Sequence, residues 1–199
     1  MSDSRHADLR ALEAEAYGQG GYFDAAQART HGVSRQLLDH HLRQGRYERI
    51  RRGLYRISGF PSAEHDDVRE KWMATGTDRA VVAGESALSL LDLSDSIPDE
   101  VHLLVARRHR GLRPPPGVVI HTHPDDERVA TVWRAGIPVT APERTLVDVL
   151  DVVQPDQAAM AVTQAIRRGL VTPKQLRTEA ARRRKQKVME PLLAAAGSR

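Results

Sequence analysis

A chain of 199 residues with 40% apolar and 28% charged residues is long enough to bury a core and fits one or two soluble domains. With no cysteine it has neither disulfides nor thiolate zinc sites, which agrees with a reducing compartment. No apolar signal core opens the sequence and no segment can span a bilayer, so the expectation is a cytoplasmic protein without membrane association.

A net charge of +4 and a pI near 9.7 point to an anionic partner. Because 26 of the 30 basic residues are Arg, their distribution is a better guide than their total. Residues 35–56 carry +5 and residues 167–187 carry +8, which leaves −9 for the rest. Two basic zones flank an acidic middle.

Asp8 to Tyr17 predicts a first helix, with Leu9, Leu12 and Ala16 on one face. Gly18 to Gly21 breaks it, and Asp24 can cap a short helix from Ala25 to Thr30. Gly32 supplies the left-handed residue of a tight turn, and Ser34 caps a further helix beginning at Arg35. Leu38, His41 and Leu42 share one arc of that helix; Gln36, His40 and Arg43 lie opposite, with Asp39 beside them. Gly45 ends it. Tyr47 to Ile50 and Leu54 to Ile57 then alternate as two strands around a cationic Arg51-Arg52-Gly53 turn.

This order describes a winged helix-turn-helix over residues 1–60, in which the second helix enters the major groove and the hairpin touches phosphates. The candidate DNA contacts are Ser34, Arg35, Gln36, His40, Arg43, Arg46, Arg49, Arg51 and Arg52. Clustered cations release condensed counterions, and the Arg fork can hold a phosphate or a guanine edge with two bonds. Asp39 repels phosphate, so it faces a cytosine amino group, pairs with Arg43 or lies off the interface. Tyr55 supports the hairpin, and Gly53 is there for its backbone.

Residues 61–199 read as an α+β domain, a small mixed or antiparallel sheet flanked by helices. Ala63 to Thr75 predicts a helix with Val68, Trp72 and Met73 inward and Glu64, Asp66, Asp67, Arg69 and Glu70 outward. A second helix runs from Glu85 to Leu93. Strands follow at 101–106, 118–123, 129–133 and 137–140, with Pro114 to Pro116 confined to a loop. Pro142 opens a helix that buries Leu146, Val149 and Leu150, and Pro155 to Arg168 forms another. Thr172-Pro173 starts the last helix, which carries a basic run from Arg182 to Lys187 until Pro191 interrupts it.

Two constellations invite chemistry. His102, His109, His121 and His123 place imidazoles on strands, but no third ligand stands at a recognisable spacing, and they read as surface histidines. Asp148 and Asp151 share a helix face near Glu143, yet acidic residues at a helix start follow from the dipole alone. The expectation is a protein without metal, cofactor or catalytic residues.

Three segments resemble the AbiEi family, the antitoxin and regulator half of bacterial abortive-infection (type IV) toxin-antitoxin systems. The first is Gly32-Val33-Ser34-Arg35 followed by Arg52-Gly53-x-Tyr55. The second is Glu100-Val101-His102-Leu103 before the Arg- and Pro-rich loop. The third is Gly136-Ile137-Pro138-Val139-Thr140 with Pro142-x-Arg144-Thr145-Leu146-x-Asp148, then Arg168-Gly169-Leu170. Where this chain has His41 the family pattern has an aliphatic residue.

The resemblance implies an autorepressor that binds inverted repeats in its own promoter, and a C-terminal domain that counteracts a nucleotidyltransferase-like toxin. It leaves open whether the two proteins touch. On this reading Arg182, Arg183, Arg184 and Lys185 are a second DNA contact, a docking surface for an acidic face of the toxin, or a solvated tail. The alternatives are an enzyme acting on nucleic acid or protein, a transcription regulator without a toxin partner, and a protein-interaction module.

Overall fold

The computed structural model describes residues 7–95 and 98–197. It is a mixed α and β structure with two sheets and several helices, divided into two compact units, Met1–Asp78 and Arg79–Arg199.

In the first unit, α1 (Leu9–Gly18) begins at Asp8, whose side chain accepts from the Ala11 amide at 2.9 Å. A short strand β1 (Tyr22–Asp24) leads into α2 (Ala25–Thr30), where Asp24 and Gln27 form a reciprocal capping box. After the turn at Gly32, α3 (Arg35–Arg43) starts on Ser34, which accepts from the Leu37 amide at 3.2 Å. Strands β2 (Tyr47–Arg51) and β3 (Leu54–Ile57) form the hairpin, and β1 pairs antiparallel with β3 to give the order β1-β3-β2.

Arg51 ends β2 opposite Leu54 after an irregularity in the register, so the tip of the hairpin is Arg52-Gly53 alone. Leu12, Ala16, Phe23, Ala28, Val33, Leu38, Tyr47 and Tyr55 form the core. Phe23 meets the edge of Tyr47 at 4.9 Å and stacks on Tyr55 at 5.6 Å. Each such pair contributes about 0.5–1.5 kcal/mol beyond the area it buries. Tyr47 and Tyr55 thus fasten both hairpin arms to β1.

Helix α4 (Asp66–Thr75) belongs to this unit, so the chain divides after Asp78 and not after residue 60. Ion pairs explain the shift: Arg56 Nη2 donates to Asp66 Oδ2 at 2.7 Å, and Arg51 Nε donates to Glu70 Oε1 at 3.0 Å. Arg69, expected outward, is only 4% exposed and donates to Asp66 Oδ1 at 2.6 Å. Two glycines make room for this packing. A Cβ on Gly20 would stand 2.8 Å from the Arg69 guanidinium, and one on Gly21 would stand 2.5 Å from the Phe60 ring.

The second unit opens with β4 (Ala80–Val82) and α5 (Gly84–Leu90). Strands β5 (Val101–Ala106), β6 (Val118–His123), β7 (Thr131–Arg134) and β8 (Ile137–Thr140) complete a mixed sheet of order β6-β5-β4-β8-β7. Within it β4 pairs with β8 and β5 with β6 in parallel; the other two pairings are antiparallel. The period-2 pattern puts Val101, Leu103 and Val105 on one face with Ala80, Val82, Ile137 and Val139, each at most 2% exposed. Neither β1 nor β4 was visible in the sequence, and β7 starts at Thr131 instead of Val129.

Helices α6 (Pro142–Asp148), α7 (Pro155–Arg167), α8 (Pro173–Arg182) and α9 (Gln186–Gly197) follow, with a 3₁₀ turn at Val149–Asp151 between α6 and α7. The expected long last helix is two helices. Arg184 takes a left-handed φ of 58° at the break, while Pro191 lies inside α9. Buried charge stabilises that break. Arg183 Nε donates to Glu179 Oε1 at 2.5 Å, and Lys185 Nζ donates to the Val147 and Asp148 carbonyls at 3.0 and 3.2 Å.

Candidate nucleic-acid interface

Ser34, Arg35, Gln36, His40 and Arg43 are all exposed, while Leu38 is buried and Leu37, His41 and Leu42 are half-buried. The helix therefore divides into a packed side and an open side, as its periodicity predicts. Ser34 has a structural task as well, since its hydroxyl caps α3.

The basic residues of this region fall into two groups. Arg35, Arg43 and Arg52 are exposed and have no side-chain partner among the described residues. Four others are held. Arg46 Nε donates to Glu13 Oε1 at 2.7 Å, and the Tyr47 hydroxyl donates to the same oxygen at 2.9 Å. The bond from Arg46 holds the Glu13 carboxyl below the usual range, and Glu13 in turn raises the Arg46 pKa. Burial, with Glu13 beside it, pushes the Tyr47 phenol up to about 12. Arg49 Nη2 reaches Asp39 Oδ1 at 3.3 Å, Arg51 is bound by Glu70, and Arg56 lies on Asp66 with its guanidinium 4.7 Å from the Tyr22 ring.

Asp39 thus pairs with Arg49, which joins α3 to β2; none of the arrangements expected for it included that partner. Between helix and hairpin lies an open groove of about 800 Å³, lined by Asp39, Leu42, Arg43, Tyr47, Glu48 and Arg49 among others. Its two carboxylates make the groove a poor bed for phosphate, and of the three free arginines only Arg43 borders it. From sequence alone Glu13 has no role and Glu70 falls only on the outward face of its helix, yet the two hold Arg46 and Arg51. They act across 33 and 19 residues, and no local spacing announces either.

The second basic run is divided in the same way. Arg184 is exposed, and Arg182 is 62% exposed with Glu179 at 3.6 Å. Arg183 and Lys185 turn inward. Arg144, 6% exposed, donates Nη1 to Glu127 at 2.7 Å and Nε to Asp148; Arg183 donates to the same Glu127 and to Glu179. Burial pushes the Glu127 carboxyl up, but the two guanidinium charges outweigh it and hold the group low. Lys185 Nζ is also 2.8 Å from Asp151. Asp148 and Asp151, weighed above as a carboxylate pair, are therefore engaged by structural cations.

On the sheet, His121 Nε2 lies 3.2 Å from His102 Nδ1, and burial lowers the His121 pKa. Among the described residues no group of three or more His, Asp or Glu is placed to hold a metal ion, and no helix is long and apolar enough to cross a membrane.

Comparison with known proteins adds three findings. The crystal structure of the Rv2827c protein from Mycobacterium tuberculosis superposes with a TM-score of 0.54 at 15% identity, covering 97% of this chain and 80% of that one. At that identity the likeness concerns the fold alone. No curated protein matches the sequence. Residues 10–58, the stretch running from α1 to the end of the hairpin, match the family described as "Transcriptional regulator, AbiEi antitoxin".

Proposed function

We propose that the first unit is a winged helix-turn-helix that represses its own operon, and that the whole chain is the antitoxin of a toxin-antitoxin pair. In this reading α3 enters the major groove of operator DNA, Gln36, His40 and Arg43 face base edges, and Arg35 and Arg52 hold phosphates on either side. Arg46, Arg49 and Arg51 act indirectly, by fixing the hairpin against α1, α3 and α4. Two copies occupy an inverted repeat, and the partner gene encodes a nucleotidyltransferase-like toxin whose effect the chain counteracts. The protein works without a catalytic site, in the cytoplasm where the DNA is.

One observation supports the DNA reading: three exposed arginines without a side-chain partner among the described residues stand on α3 (Arg35 and Arg43) and at the tip of the hairpin that follows it (Arg52). Titration of the chain's own upstream DNA across a salt series tests it. Replacing Arg52 with Ala should weaken binding and reduce the log–log salt slope by about 0.9 unit, the share of one phosphate. His40→Ala should relax sequence preference and leave the slope unchanged. Unaltered affinity and slope in an Arg35→Ala, Arg43→Ala, Arg52→Ala triple variant would refute the assignment. Co-expression with the neighbouring gene tests the antitoxin half, which requires growth to be rescued.

A further inference from the structure

The arginine-rich loop between β5 and β6 is used neither by the fold nor by the operator reading. Arg107-Arg108-His109-Arg110-Gly111-Leu112-Arg113 holds four arginines and no acid, and all four are exposed. Arg108 has Asp125 at 3.8 Å; Arg107, Arg110 and Arg113 have no side-chain partner among the described residues. Four like charges within seven residues repel one another unless something anionic lies across them.

Sheet topology brings more of the same chemistry to this place. Ala106 at the end of β5 lies beside His123 at the end of β6, and Val105 is opposite Ala80 at the start of β4. The parallel pairing of Val82 with Val139 sets Ile137 level with Ala80, and Ile137 faces Arg134. One end of the sheet therefore gathers the start of the arginine loop, the segment after His123 and the turn after Arg134. The Arg108 amide donates to Asp125 Oδ1 at 2.8 Å, which fixes the loop against that segment. Arg134 donates to the Trp133 carbonyl and has no carboxylate partner among the described residues. From β5 to β7 is three strand spacings, about 14 Å.

Trp133 is one residue in from this end, on the edge strand β7, and is 65% exposed. An acidic peptide would find the same cations, but an indole held open beside them offers a face on which any unpaired base can stack. A base in a duplex offers no such face. Asp125 is paired with Arg108, which leaves Asp126 as the one exposed acid of that segment to oppose the arginines.

We propose that this end of the second sheet binds single-stranded nucleic acid, with Arg107, Arg110, Arg113 and Arg134 on successive phosphates and Trp133 stacked on a base. The surface belongs to the second unit and is separate from the operator-binding residues of the first.

The test uses the full chain and a labelled thymidine oligonucleotide of about twelve residues, within the range of single-strand site sizes. Trp72, the other tryptophan, is 3% exposed, so quenching on titration reports Trp133. The oligonucleotide should bind and quench. Arg107→Ala, Arg110→Ala, Arg113→Ala together should weaken it at least tenfold and lower the salt slope by about 2 units, at roughly 0.7 for each single-strand phosphate. Trp133→Ala should cost about tenfold in affinity and Trp133→Phe much less, because a phenyl ring still stacks. The Arg35→Ala, Arg43→Ala, Arg52→Ala variant should bind as the parent does, whatever it does to operator affinity. Absence of binding, indifference to the loop substitutions, or loss in the first-unit variant overturns the proposal. Equal competition by a duplex of the same length, or by oligoglutamate, overturns it in favour of a general polyanion or acidic-protein surface.

Discussion

His41 sits on the packed side of α3 with its ring centroid 5.6 Å from that of Tyr47 and its Nε2 buried without a hydrogen-bond partner among the described residues. Burial lowers its pKa from the ordinary 6.5, Arg46 and His40 push the same way, and Glu13 opposes them. A histidine with a depressed folded pKa takes up its proton more readily in the unfolded chain. The stability tied to its neutral form is therefore complete above about pH 6.5 and is lost as the pH falls through the lower folded value. His41→Leu should remove that loss, and it also fills the site with the aliphatic side chain that the resemblance expects. Melting temperatures of parent and variant measured from pH 8 to pH 5 should diverge on the acid side; parallel curves would sink the assignment.

Between elements, a few polar ties orient the hairpin. Glu13 on α1 holds both Arg46 and Tyr47, so it couples the first helix to the start of β2. The Arg46 side chain is 42% exposed, which discounts its share, whereas the Tyr47 hydroxyl loses its one acceptor. Glu13→Ala should cost about 1 kcal/mol in urea unfolding at neutral pH. Because the Glu13 carboxyl is held low, the difference from the parent should shrink as the pH drops below about 4.5, where the unfolded carboxyl also protonates. A difference independent of pH would show that the tie is not ionic.

The helices of this unit were legible because their signals are local: Asp8, Asp24 and Ser34 each cap within three residues, and Gly32 and Gly45 end what precedes them. The open face of α3 followed from period alone. Strand β1 was not legible, since three residues carry no period and their partner is β3, some thirty residues on. Strand β4 was hidden for the same reason. The candidate cations were visible as a cluster, but their division into free and held depends on Glu13, Asp39, Asp66 and Glu70, which only the folded chain brings near.

At the scale of the molecule, the Ser58-Gly59-Phe60-Pro61 stretch looks like a linker and is not where the chain divides. Arg56 and Arg51 depend on α4 for their carboxylate partners, and Phe60 packs edge-on to Tyr17 at 5.3 Å. A fragment ending at Asp78 should unfold cooperatively with dispersed amide resonances. One ending at residue 60 leaves those arginines without counter-charges and should be less stable by about 3 kcal/mol or more, at the cost of breaking a partly buried ion pair. Equal denaturation midpoints for the two fragments would remove α4 from the unit.

The second sheet has its last strand in the middle. β8 enters between β4 and β7, so until residues 137–140 emerge from the ribosome β4 has one edge with nothing to bond, and Arg183, which shares Glu127 with Arg144, comes later still. The first unit has every residue it needs by Asp78. At roughly 5–20 residues per second, the sheet trails it by about 3–12 s during synthesis. The two halves of this protein thus come into being one after the other, the helix-and-hairpin unit first, with a nascent sheet exposed in the interval.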